Sequence, residues 1–239
     1  MIMTTSQFTQ WRSIAWKSSA AAAASIFLTS IYFAIILPLF GFTFEMLDDH
    51  VAAINWYVKA KASGVFQGLM ICYFISQLVL LPVPFALHNL VSKTHNSVYS
   101  FYFALLGTAG VIIAMAGPIF IFANIPELAN AAVKGMVPVD ILVMTGNMFA
   151  DLTKDFRLFS EILLGIWLMG FGFMISKSTA HKVKSLIIGV FGITVFVIPA
   201  IKLADPYMHS EDYIGLVLAG CFILLSIVAY KSKPEEIIG

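Results

Sequence analysis

Charge is scarce in this 239-residue chain. Asp, Glu, Lys and Arg make up 11% of it, against 60% hydrophobic residues. A soluble domain carries about 25% charged and about 45–50% apolar residues. So few polar groups cannot coat a surface that faces water, which leaves a bilayer as the solvent. Neither sign of charge predominates. A net charge of +1 gives no footing for nucleic acid or for a strongly acidic partner. Cysteine is nearly absent. Cys72 and Cys221 both sit in apolar runs, without metal-ligand or redox-pair spacing, and read as small packing residues. The chain has no H-E-x-x-H, nucleophile elbow, P-loop or dinucleotide fingerprint. His50, His88, His95, His181 and His209 lie in loops or at span ends, which excludes a haem held by facing imidazoles within the helices. The first long apolar run lacks the short apolar region and A-x-A-like site of a cleavable signal, so it is expected to remain as a span.

Long apolar runs are what the sequence has in abundance. A spanning helix needs roughly 20 mostly apolar residues. Six segments qualify, at about 19–42, 66–88, 99–123, 158–176, 184–202 and 212–230. In hydrocarbon every backbone amide and carbonyl must be satisfied within its own segment, so these are helices. The alternating ten-residue segments of a transmembrane barrel do not occur. The expected fold is all-α, a single polytopic domain over 1–239. Amphipathic helices are expected in its two long outer loops, 43–65 and 124–157.

Orientation follows from the cations. Arg12, Lys17, Lys93, Lys177, Lys182, Lys184, Lys231 and Lys233 fall on one side, with only Glu235 and Glu236 as acids. Lys59, Lys61, Lys134, Lys154, Arg157 and Lys202 fall on the other, among eleven acids. Both termini are therefore expected in the cytoplasm. Trp11 and Trp16 bracket Arg12 as interfacial anchors, on a short helix expected to lie in the headgroups.

The outer connections are longer than a turn requires, and such loops are often functional. In "EMLDDHVAAINWYVKAKASG", Leu47, Val51, Ile54 and Val58 recur at helical spacing. In "PVDILVMTGNMFADLTKDF", Pro138 suits a first helical turn, and Ile141, Met144, Met148, Leu152 and Phe156 share a face. This second helix either runs into span four or breaks near Gly146. Both segments are expected to lie along the outer leaflet or to cap the bundle. Pro38, Pro118 and Pro199 each precede an outer span end and are expected to splay a vestibule there. Pro82 and Pro84, in "LPVPFALHN", are expected to loosen the inner end of span two.

One carboxylate interrupts the apolar runs. In "DFRLFSEILLGIWLMGFGFMISKS", Glu161 lies sixteen residues before Lys177, about 24 Å along a helix axis, one turn below the outer surface. Arg157, at i−4, shares its face and is the expected partner. The stripe continues through Gly165, Leu168 and Gly172, where another helix can come close. Arg157 and Glu161, with Gln67 and Gln77 of span two, are the candidate ligand-binding residues. Asp48, Asp49 and His50, and His209, Glu211 and Asp212, are candidate metal ligands on the outer face, without a diagnostic spacing. Asp151 and Asp155 stand one turn apart. No cofactor is implied by a motif. The 11 methionines and 21 phenylalanines read as core and lipid-facing filler.

"SEILLGIWLMGFGFMISKS" resembles the fourth-span signature of a large bacterial family of six-span membrane proteins of unknown function. In that family a Glu-Ile-Leu-x-Gly-x-Trp-Leu string leads into a Gly-containing helix, a short basic turn and another span. Glu161, Gly165, Trp167 and Leu168 match it, and Lys177 to Lys184 supply the turn. The resemblance covers about 40 residues around 160–200 and implies architecture and bacterial origin, without an activity. Three functions stay open. The first is non-enzymatic binding or movement of a small amphiphile or ion from the outer face. The second is a membrane enzyme acting on a lipid or isoprenoid, with Glu161, Asp151 or Asp155 as acid–base or metal-binding groups. The third is a subunit of a larger membrane complex.

Overall fold

A computed structural model describes residues 4–43, 52, 56, 63–91, 97–176, 181–204 and 214–232. The fold is all-α. Its helices are α1 (Thr5–Ile31), a π-helical turn (Tyr32–Ile36), α2 (Leu37–Leu39), α3 (Ser63–Leu80), α4 (Val83–Val91), α5 (Ser97–Val133), α6 (Val139–Ile175), α7 (Lys182–Ala204) and α8 (Ile214–Lys231). Among the described residues, six segments are long and apolar enough to cross a membrane: Thr5–Leu39, Ile71–Val91, Val98–Gly117, Met144–Ile175, Lys182–Ala204 and Ile214–Lys231. The chain is a multi-pass membrane protein.

The spans close into a ring in chain order. α1 packs on α3 and α4, these on α5, then α5 on α6, α6 on α7 and α7 on α8, and α8 returns to α1. The seam between first and last helices is polar at its rim. Arg12 Nη1 donates to the Ser232 carbonyl (3.3 Å), Ser226 Oγ donates to the Trp16 carbonyl (3.0 Å), and Trp16 meets Tyr230 edge-on at 5.5 Å. Trp11 and Trp16 thus pack against the bundle. The expected separate headgroup helix is not formed. α1 starts at a capping box, where Thr4 and Gln7 bond each other's backbone amides, and it runs on unbroken. Once that cap is satisfied, the alanine-rich stretch from Ala20 to Ala24 gives no reason to stop. Around the ring, Leu28, Ile31, Ile75, Leu78, Ile112, Phe173, Val190 and Ile223 are exposed. An apolar outer surface of this kind is what lipid contact requires.

The largest departure from the sequence reading is at residues 124–157, which form no loop. α5 and α6 are 37 residues each. Such a helix is about 55 Å long, against about 30 Å of hydrocarbon. Only residues 134–138 turn between them. Gly135 takes φ +59 and the Met136 amide reaches back to the Ala131 carbonyl (3.1 Å), a glycine-dependent helix stop. Pro138 is the N-cap of α6. Gly146 is helical, so the alternative in which the helix runs straight into span four holds. A helix collinear with a span cannot also lie flat on the leaflet, and that expectation is corrected. The expected helix in 43–65 falls largely outside the described residues. Within that loop, Trp56 is buried and donates from Nε1 to the Phe40 carbonyl (2.8 Å).

The prolines act differently from one another. Pro82 interrupts span two at Leu81–Pro82, as expected. Pro118 and Pro199 lie within unbroken helices. Pro38 follows the π-turn, in which the Leu37 amide reaches the Tyr32 carbonyl. A proline lacks the amide that would bond the Ala34 carbonyl, and the widened turn ahead of it relieves the crowding. α2 then stops at Gly41, φ +83. Tyr32, at the start of the π-turn, donates its hydroxyl to the Val65 carbonyl (2.8 Å) across Gly68, where a Cβ would stand 2.6 Å from that hydroxyl. Gly68→Ala is expected to displace the phenol and lose about 1 kcal/mol, or about 2–4 °C in Tm. Tyr32→Phe should add almost nothing in the Gly68→Ala background, which a double-mutant cycle by thermal unfolding checks.

Candidate functional site

Glycines set the geometry of α6. On its α7 side a Cβ on Gly165 would stand 2.5 Å from the Phe196 amide nitrogen, and one on Gly172 would stand 2.6 Å from Gly189 Cα. A Cβ on Gly192 would stand 2.9 Å from Met169 Cα. These are backbone-to-backbone contacts, so two helices touch along the stripe that the sequence marked at Gly165, Leu168 and Gly172. On its α5 side, Gly107 receives the Trp167 ring, Gly110 the Ser160 carbonyl and Leu164, and Gly117 the Thr153 methyl. This second glycine series, with its small residues at helical spacing, was readable in the sequence and was missed. The pairing persists to the stacked rings of Phe120 and Phe156, 5.8 Å apart.

Side chains fill the centre of the bundle. Trp167, Leu168, Phe171, Phe222 and Leu225 are fully buried, with Trp167 packed edge-on to Phe171 and tilted against Phe222. The inward face of α6 runs outward from Phe171 through Leu168 and Leu164 to Glu161 and Arg157. The Arg157 Nε and Glu161 Oε1 atoms are 3.8 Å apart, and the two side chains are 41% and 9% exposed. The two groups form the expected ion pair. The carboxylate is thus held inside the bundle, and its arginine sits one turn higher at the rim.

The other candidates do not join this pair. Gln77 is buried on α3 and donates to Ser76 Oγ (3.4 Å), while Gln67 is half-buried near the start of that helix. α3 packs on α1 and α5, and α5 stands between it and α6. Asp151 and Asp155 are exposed and lie on a different face of α6 from Glu161. Asp48, Asp49, His50, His209, Glu211 and Asp212 lie outside the described residues. Among the described residues no three His, Cys, Asp or Glu side chains gather as a metal site. Cys72 and Cys221 are not joined in a disulfide. A polar contact the sequence did not suggest links the other end of the bundle: His88 Nδ1 lies 2.8 Å from Ser100 Oγ, tying α4 to α5. Compared with protein-family models, curated proteins and solved structures, the chain matches none.

Proposed function

We propose that the chain is a non-enzymatic integral membrane protein that holds a small amphiphile at the end bearing the α5–α6 hairpin. The observation that carries this reading is the inward face of α6, which ends in a buried carboxylate topped by a half-exposed guanidinium. Arginine presents a planar fork that suits phosphate and carboxylate. Here its position is set by Glu161 beneath it. The amphiphile is therefore expected to carry an anionic headgroup, with its tail against the apolar helix faces. The cation distribution supports an outward-facing site and cytoplasmic termini, and the resemblance around residues 160–200 supports a bacterial inner membrane. The reading as a lipid or isoprenoid enzyme gains no support, because Asp151 and Asp155 do not converge with Glu161 on one face of α6.

The test is a titration of the detergent-solubilised protein with a short-chain phosphatidic acid and with a phosphatidylcholine of the same chain length. The phosphate-terminated lipid is expected to bind at least about tenfold more tightly, one charge-assisted contact being worth about 1.5–3 kcal/mol. Arg157→Gln should erase the preference while leaving the elution profile and helical content intact. An undiminished preference in Arg157→Gln would remove the arginine from the site and the reading with it.

A further inference from the structure

Two methionines stand exposed on one face of α6. Met144 and Met148 are 68% and 63% exposed, and Met136, beside the hairpin turn, is exposed as well. Met144 and Met148 are one helical turn apart, so their Cβ atoms are about 5–6 Å apart on one face. Methionine has three rotatable bonds and a polarizable sulfur at its tip. Two such chains at this spacing can bring both Sδ atoms onto one ion. The same exposed face continues toward the spans through the carboxylates of Asp151 and Asp155, which draw cations along it.

We propose that Met144 and Met148 form a soft-metal site that binds a monovalent copper ion. Thioethers select Cu(I) over the hard cations that carboxylates favour. They are neutral and carry no proton, so binding needs none of the deprotonation that thiolate or imidazole ligands require. The pair lies beyond the exposed charges of Asp151, Lys154 and Asp155 on α6, and such charges keep to water rather than to hydrocarbon. Exposed Ile141 and Leu152 flank the pair and give an apolar setting in which a weakly hydrated soft ion is at little disadvantage. Leucine would serve a purely apolar face equally well, so sulfur is the property the proposal depends on.

Silver(I), a redox-inert substitute, is the first probe, followed by anaerobic Cu(I) in competition with a chromophoric chelator. The wild-type chain in mild detergent should take up one equivalent more than the M144L/M148L chain. Its affinity for that equivalent should exceed the double variant's residual binding by at least tenfold. Leucine keeps the volume and apolarity, and helical content with thermal midpoint verifies that folding is unchanged. M115L, at a methionine packed on the core, should match the wild type. Equal uptake by wild type and M144L/M148L would overturn the proposal, as would an equal loss in M115L.

Discussion

Gly172→Ala is expected to unfold about 6–12 °C below the wild-type chain, the largest stability loss of any single methyl group considered. The added carbon would sit 2.6 Å from Gly189 Cα, where backbone faces backbone and no side chain can rotate away. Overpacking a tight core costs about 1–3 kcal/mol. The upper value, about 3 kcal/mol, applies where only a whole helix can move, and each kcal/mol is worth about 2–4 °C at this size. Gly215→Ala provides the contrast, because nothing lies within 4 Å of a Cβ built there. It should be neutral or slightly stabilising, since alanine is the better helix former. Thermal unfolding in one detergent compares the two. Equal midpoints would mean that α6 and α7 are not in backbone contact.

Arg157→Leu should rank second, with a loss of about 2 kcal/mol, or about 4–8 °C. A fully exposed ion pair is worth about 0–1 kcal/mol, and breaking a buried one costs about 3–5 kcal/mol. This pair lies between, because only the carboxylate is deeply buried. Glu161→Met should do less harm, since a half-exposed guanidinium turns to water when its partner leaves. The double variant R157L/E161M should recover most of what Arg157→Leu loses, because the buried carboxylate is then gone as well. Lipid binding reports separately. The double variant should fold and yet show no preference for phosphatidic acid, which divides the structural role of the pair from its binding role.

Much of this was legible in the residues, for reasons that differ from place to place. The apolar runs fixed six crossings, because hydrocarbon permits few alternatives. The Glu161 stripe with Gly165 and Gly172 announced a close helix neighbour, because three residues at helical spacing share a face, and the structure makes that neighbour α7. The hairpin was harder. Residues 124–157 mix apolar and polar groups, so composition alone could not separate a loop helix from the continuation of a span. Only the glycine stop at Gly135 and the absence of a break at Gly146 decide it. The exposure of the methionines was hidden for a related reason. Periodicity shows that Ile141, Met144, Met148 and Leu152 share a face, but not whether anything covers it. Tyr32, Val65 and Gly68 were invisible, since a hydroxyl reaching across to a neighbouring helix leaves no local trace.

A ring whose first and last members touch also sets a timetable for its making. The face of α1 that meets α8, at Arg12 and Trp16, has to wait for α8 to be made. Nearly two hundred residues separate them, and at about 5–20 residues per second that wait is roughly 10–40 s. During it, the nascent protein is an open crescent in the bilayer, its edge available to chaperones or insertion machinery until the seam at Arg12 and Ser232 zips shut.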